Sequence, residues 1–410
     1  MRVLLAPHGT RGDVQPMLAF GIALRKHGHD VRFVVPANFV DGIRRAGFPA
    51  ESDGIDVEAT LLAPRTDLQS VRFQTRYITE VLAPRLFDSV ARAVGDADVI
   101  VGAGVQIAAA SVAERQGVPC VNAAFCPCAV PSRTAPPPMV HVQNLPQWVN
   151  ALLWRLGSPI ADAVARGPIN AGRASLGLPP VRSPMRLIVG GGAIVAADRE
   201  LAPIGDDVAA KVVQTDAWIL EDQTPLAPDV DAFLRAGPPP VYVGFGSMVS
   251  KSTEGLAAQV LSAARMVGCR LLIAGGWARL GTFAAQSADI MAVDSLPHQT
   301  VLHRTAAAVH HGGAGTTTAA ARAGVPQVLL PHILDQFYWG HRIAVLGLGP
   351  RPLPVSRVTS AALADRLRQA LGEARIRARA QDLAARLAGR NGVEFGVNHL
   401  VELVETRCRA

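Results

Sequence analysis

The stretch Ala308-Val-His-His-Gly-Gly-Ala-Gly-Thr-Thr-Thr318 decides how this chain reads. It follows a short apolar run and leads into the alanine-rich run Ala319-Ala-Ala-Arg-Ala323, an order that reads as strand, glycine-rich turn and helix. Gly312, Gly313 and Gly315 let the backbone approach a ligand closely and take positive φ without a Cβ penalty. Thr316, Thr317 and Thr318 offer an N-cap and free hydroxyls. The bare N–H groups at a helix start attract an anion, most often phosphate. His310 and His311 add donors at the mouth of the turn. The same pattern also occurs as a strand-to-helix turn with no ligand, so the motif alone does not establish a function.

Working outward, the pattern repeats on both sides. Downstream, strand Gln327–Leu330 leads to Pro331-His-Ile-Leu-Asp-Gln336, helices fill Ala361 to about Leu387, and Asn398 to Glu405 is an amphipathic helix. Upstream, Val241-Tyr-Val-Gly-Phe245 and Arg270–Ala274 read as strands around the helix Leu256–Val267, with a further strand at Met291–Val293. A segment rich in proline and acids, 214–240, separates this half from the first and reads as a linker of limited flexibility. The chain opens with its own β-α-β unit: strand Arg2–Ala6, turn His8-Gly-Thr-Arg-Gly-Asp13, helix Pro16–Leu24 and strand Asp30–Val35. Strands Val99–Ala103 and Cys120–Ala124, with helices at Val40–Ala46, Tyr77–Val94 and Ile107–Gln116, continue it. Val189-Gly-Gly-Gly192 is a second glycine turn, before the apolar run Ile194-Val-Ala-Ala197. The fold class is therefore α/β, with a first domain over 1–213, a linker over 214–240 and a second domain over 241–390, leaving 391–410 as a terminal segment. Leu61 to Arg76 and Pro127 to Asn150 are irregular by composition and read as binding loops on the side of a second substrate.

Composition narrows the function classes. A chain of 410 residues exceeds one ordinary core. The net charge is +7, yet only Lys26, Lys211 and Lys251 are lysines, and the arginines are scattered without a basic block or interleaved aromatics. No nucleic-acid footprint is visible; a phosphate-bearing substrate or an anionic membrane surface would both feel the positive field. No run approaches the ~20 apolar residues of a spanning helix, and the N-terminus reads as a strand, not a signal peptide. Cys126-Pro-Cys128 is too tightly spaced, and lacks the second pair, for a zinc knuckle. The expectation is a cytoplasmic protein with reduced thiols. Asp96/Asp98 and Asp229/Asp231 have Asp-X-Asp spacing, but the first pair precedes its strand and the second lies in the linker, so both read as surface acids and no metal is expected.

His310-His-Gly-Gly-Ala-Gly-Thr316, Ala323-Gly-Val-Pro-Gln327 and Asp335-Gln336 resemble the donor signature of nucleotide-sugar-dependent glycosyltransferases with the GT-B fold. Gly9-Thr-Arg-Gly-Asp-Val-Gln-Pro16, Val213-Gln-Thr-Asp-Ala-Trp218 and Gly237-Pro-Pro-Pro-Val-Tyr-Val-Gly-Phe-Gly-Ser247 carry the likeness through nearly the whole chain. It is nearest to the bacterial glycosyltransferases that decorate glycopeptide aglycones; sterol and glycolipid glycosyltransferases share several of the motifs. The resemblance implies two Rossmann-like domains facing across a cleft, with the terminal segment crossing back to the first. It also implies an inverting transfer of a hexose from a UDP- or dTDP-sugar to a hydrophobic, hydroxylated acceptor, the nucleotide-sugar being a co-substrate and no cofactor being needed.

Carried over residue by residue, the resemblance gives His310 the place of a phosphate-contacting histidine, with His311 beside it. Ser247 matches a diphosphate contact, Asp335 and Gln336 the sugar contacts, and Leu296 the position whose backbone reads the base edge. Trp277 is placed to shape the nucleoside pocket, or else sits in the core. Plant members stack a tryptophan two residues before Pro297; Ser295 stands there, which leaves uracil against thymine open. Asp13 matches the position of the catalytic base, which must reach the acceptor proton with a pKa near its task. Its competing role is an N-cap for the helix beginning at Pro16. Thr10, Arg11 and Gly12 line the same turn, and Arg11 is a candidate phosphate contact. A sterol or glycolipid acceptor at a membrane surface, a nucleotide-sugar epimerase of similar fold and a binder without turnover remain as alternative readings. A dinucleotide oxidoreductase is weaker, for want of Gly-x-Gly-x-x-Gly with a downstream acid.

Overall fold

A computed structural model describes residues 1–63, 71–190, 192–222, 224–246, 253–276, 287–390 and 392–409. The short apolar runs become parallel strands buried on both faces, which is why they read as continuous instead of alternating. In the first domain these are β1 (Arg2–His8), β2 (Asp30–Val35), β3 (Ala50–Ser52), β4 (Val99–Gly104), β5 (Cys120–Ala124), β6 (Ala193–Ala196) and β7 (Val212–Thr215). They form one sheet in the order β3-β2-β1-β4-β5-β6-β7. The second domain has β8 (Val241–Gly244), β9 (Leu271–Ala274), β10 (Ile290–Val293), β11 (Ala307–His310) and β12 (Gln327–Leu329), in the order β10-β9-β8-β11-β12. In each sheet the strand order reverses beside the first strand, between β1 and β4 and between β8 and β11. Ligands of such sheets bind beyond the carboxyl ends of the strands at that point, and in this chain the two points look at each other.

Helix Gly392–Arg409 returns to the first domain. Its Val393, Val397, Leu400 and Val404 enter the same core as Val3, Leu5 and Phe20. Trp218, leaving the first sheet, stacks on Phe20 with ring centroids 4.2 Å apart and donates its indole N–H to the Gly392 carbonyl at 3.1 Å. The domains also share a core of their own: Ala124, Cys126, Cys128 and Val130 pack with Tyr338, Trp339 and Ile343. His141 stacks on Phe337 at 4.0 Å, and Arg322 pairs with the fully buried Asp198 at 2.6 Å.

Several elements differ from the sequence reading. The first sheet runs through Gln214 and Thr215, so the linker begins later. Within it Pro228–Arg235 is a helix, since proline at a first helical position gives up only an N–H that lacks a partner anyway. Asp231 of that helix pairs with Arg304 and Arg235, and Asp96 and Asp98 pair with Arg2, so these acids are ion-paired, not merely solvated. A helix of 29 residues, Gln147–Ser175, begins inside the stretch read as irregular; Pro159 and Pro168 within it hid its periodicity. The first helix starts at Arg11, five residues before Pro16, because Thr10 and Asp13 form a capping box.

Candidate active site

The carboxyl ends of the two sheets enclose one cavity of about 1960 Å³, lined from both domains. On the first domain its wall is the turn after β1. Thr10 caps helix Arg11–Lys26, and Asp13 reaches back to accept the Thr10 backbone N–H at 2.8 Å. Gly104, at the end of β4, lies against this turn. A methyl there would come within 2.2 Å of the His8 carbonyl and 2.9 Å of an Asp13 carboxylate oxygen, and its φ of +66° also demands glycine. Desolvation pushes the Asp13 pKa up to about 6, against the lowering influence of the Thr10 hydrogen bond and of His8. His8 is itself buried and hydrogen-bonded through Nδ1 to the buried Asp53 at 2.6 Å.

On the second domain β11 delivers the glycine turn. Gly313 is the N-cap of helix Ala314–Arg322, and the first intrahelical bond is from Thr317 N–H to the Gly313 carbonyl at 3.0 Å. The N–H groups of Ala314, Gly315 and Thr316 therefore have no helical acceptor, and all three residues line the cavity. His311 and Leu296 also line it, as does His298, whose Nε2 meets the Tyr242 hydroxyl at 2.8 Å. The segment after β12 passes through Leu334, a non-glycine residue at φ +52°, which turns Asp335 into the cavity. Asp335 takes the Trp339 indole N–H at 3.2 Å. Burial and the charge of Asp13 together push Asp335 up to about 7, so the two carboxylates feel each other across the cleft.

The electrostatics differ from the histidine-rich appearance of the sequence. Desolvation lowers His298 to about 4, His311 to about 3 and His332 to about 4, so these rings are neutral at physiological pH. Of the arginines on the cavity wall, Arg322 is held by Asp198, and Arg390 by Glu200 and Asp216. Among the described residues, Arg11 is the guanidinium on this wall that no carboxylate holds. It belongs to the first domain, yet its charge reaches Tyr242 and His298 of the second.

The structure brings Asp13, Thr10, Arg11, Gly12, Leu296, His311, Gly313, Gly315, Thr316, Asp335 and Gln336 to the one cavity. It corrects others. His310 is fully buried at the end of β11, its Nε2 bonded to the Gln327 amide at 3.0 Å and its Nδ1 accepting the Gly312 N–H at 3.1 Å, so the ring braces the turn and His311 faces the cavity. Gly312 is likewise inside, against Gln336 and Leu329. Thr317 and Thr318 are buried and the cap is Gly313, not a threonine. The side-chain oxygen of Gln336 accepts the backbone N–H groups of His332 at 2.7 Å and Ile333 at 3.1 Å, so it shapes the loop that carries Asp335. Ser247 and Trp277 lie outside the described residues. The sequence reading passed over Gly104, the His8–Asp53 pair and the Tyr242–His298 pair. His8 stands in the first turn already noted and His298 directly follows Pro297, whereas Asp53 and Gly104 join the site only through the strand order.

A glycine turn with an open helix start, facing a desolvated carboxylate across two parallel α/β domains, is the layout of the GT-B glycosyltransferases, and this chain is one. The glycosyltransferase family 28 N-terminal domain matches residues 3–132, and the C-terminal domain of erythromycin biosynthesis protein CIII-like matches residues 271–403. A vancomycin aglycone glucosyltransferase of Amycolatopsis orientalis is 38% identical over 375 residues, 90% of each chain. A dTDP-epi-vancosaminyltransferase of the same organism is 34% identical over 373 residues, covering 88% of this chain and 89% of its own. In three dimensions the chain superposes on the glycosyltransferase VinC, solved with dTDP, with a TM-score of 0.68 at 23% identity over 99% and 100% of the two chains. The chain belongs to the family of antibiotic glycosyltransferases that these enzymes represent.

Proposed function

We propose that this enzyme transfers a hexose, with inversion, from a UDP- or dTDP-sugar to a hydroxyl of a hydrophobic natural-product aglycone. The observation that carries the reading is the opposition, within one cavity, of Asp13 and the open helix start at Ala314–Thr316. Asp13 takes the proton of the acceptor hydroxyl as its oxygen attacks the anomeric carbon, and the bond from that carbon to the diphosphate breaks on the opposite side. The leaving diphosphate gains its negative charge against the three bare N–H groups, the Thr316 hydroxyl and the Arg11 guanidinium, which are fixed before the reaction begins. With the cleft histidines neutral, Arg11 is the full positive charge that faces the diphosphate, and it comes from the domain that also supplies the base. Asp335 and the loop held by Gln336 face the sugar hydroxyls. The scheme uses no metal or cofactor beyond the co-substrate. The relative named for a dTDP-sugar supports the thymidine donor, while the position of Ser295 admits either base.

The test is to incubate the enzyme with α-linked UDP-glucose or dTDP-glucose and a panel of hydroxylated aglycones, the vancomycin aglycone among them, and to read the anomeric centre of the product by NMR. A β-glycoside is expected. An α-glycoside would exclude inversion. Epimerised donor without an acceptor would mark an epimerase, and turnover confined to sterol or lipid acceptors would move the enzyme to a membrane substrate. As a base with a pKa of about 6 must be ionised to work, kcat/KM is expected to fall about tenfold per pH unit below that value. A flat profile between pH 7 and about 5 would remove Asp13 from this role.

A further inference from the structure

Helix Gln147–Ser175 carries Trp148, Leu152, Leu156 and Ile160, each four residues from the next, on an exposed stripe. Trp148 is 69% exposed, Leu156 58% and Ile160 66%, unusual values for large apolar side chains. At 1.5 Å per residue the stripe is about 18 Å long. Met139 and Val142, similarly exposed, extend it toward the catalytic cavity, which Met139 also lines. Along residues 134–197 the exposed charges have one sign, while Glu80, Asp88 and Glu114 on neighbouring segments are each paired with an arginine. From Thr134 to Ala197 the one acidic residue is Asp162, which is buried and accepts the Met185 N–H at 2.8 Å. Arg155, Arg166, Arg182 and Arg186 are exposed in the same stretch. The stretch falls between the two family-matched spans.

We propose that this face is a peripheral docking surface for an anionic lipid bilayer. A helix lying in a membrane interface presents an apolar stripe to the acyl boundary, with arginines beside it at headgroup level. Tryptophan at one end suits that boundary, where its ring is apolar and its N–H stays wet. The exposed Arg155, Arg166, Arg182 and Arg186 are the feature that selects a negatively charged surface. Docked this way, the enzyme sets the mouth of its cleft, at Met139, against the bilayer. The inference stands on the surface alone and holds whichever sugar or acceptor the cleft takes.

The test is co-sedimentation of the full chain with vesicles of phosphatidylcholine alone and with added phosphatidylglycerol, at low and high salt. We expect about tenfold more binding to the anionic vesicles, decreasing with salt. Leu156→Gln/Ile160→Gln is expected to abolish binding on both, and Arg155→Gln/Arg186→Gln to reduce the preference for anionic lipid severalfold. Because these side chains are exposed, nucleoside diphosphate affinity serves as the control for folding; Trp148→Ser is the second variant should the double substitution fail it. Wild-type protein that stays in the supernatant with anionic vesicles overturns the proposal, as does apolar-variant binding equal to wild type. So does a wild-type dimer in analytical ultracentrifugation that these substitutions convert to monomer, since the stripe would then join two copies of the chain.

Discussion

Asp13 is asked to do two things, and its environment records the conflict. Its carboxylate caps the first helix, which favours ionisation, yet desolvation dominates and raises the pKa from 3.8 to about 6. An acid with a raised folded pKa binds its proton more tightly in the native state. Its stabilising contribution is present below the unfolded value of 3.8 and is lost as pH rises through about 6. Asp13→Asn keeps an oxygen for the Thr10 N–H and removes the buried charge. We therefore expect it to raise stability at pH 8 by up to roughly 3 kcal/mol and to change it little near pH 4, measured by denaturant unfolding. Lower stability of the variant at pH 8 would make Asp13 chiefly a cap. The position was legible in the sequence because the turn stands between strand and helix. What was not legible is which histidine of the pair faces out: β11 runs one residue further than its apolar pattern suggests, so His310 is still strand and His311 is already turn.

At the scale of elements, the glycine turn works through what its residues exclude. A methyl on Gly313 would stand 2.4 Å from His311 Nε2, so the cavity-lining ring must move, whereas a methyl on Gly315 meets nothing within 4 Å. Gly313→Ala is expected to weaken nucleoside diphosphate binding by about tenfold or more, in the range of a lost charge-assisted hydrogen bond, while Gly315→Ala leaves the melting temperature at or above that of wild type. Equal effects of the two substitutions by calorimetry would show that His311 is not the neighbour that matters. Strand–turn–helix order was readable from apolar runs and glycines because local chemistry sets it. The helix Gln147–Ser175 was not, since two internal prolines break the local rule and packing against the first domain restores it. The helix at Pro228 was missed for the related reason that proline reads as linker until its place at a helix start is known.

Across the whole molecule, the order of the strands makes the site. Asp53, Gly104 and Asp13 are separated along the chain by three crossovers, and only the pairing of β1 with β4 and β2, and of β2 with β3, brings them to one edge. No local pattern carries that information, so the resemblance supplied the cleft before the structure did. The terminal helix ties the halves together: Val393, Val397, Leu400 and Val404 complete the first domain's core although they follow the second domain in sequence. Burial of four such side chains contributes about 1.5–3 kcal/mol each. Ending the chain at Leu387 is expected to unfold the first domain, measured as loss of its cooperative thermal transition; a truncated protein that melts as wild type would show the crossing helix to be dispensable.

The central claim is that Asp13 activates the acceptor while the opposite domain holds the donor. Its most direct test is single-turnover sugar transfer by Asp13→Asn at saturating donor, on an acceptor that the wild-type enzyme glycosylates. The predicted result is a rate lower by about 10²–10⁴-fold, with donor affinity within twofold of wild type. A rate within tenfold of wild type, or donor affinity lost in step with the rate, would contradict the account.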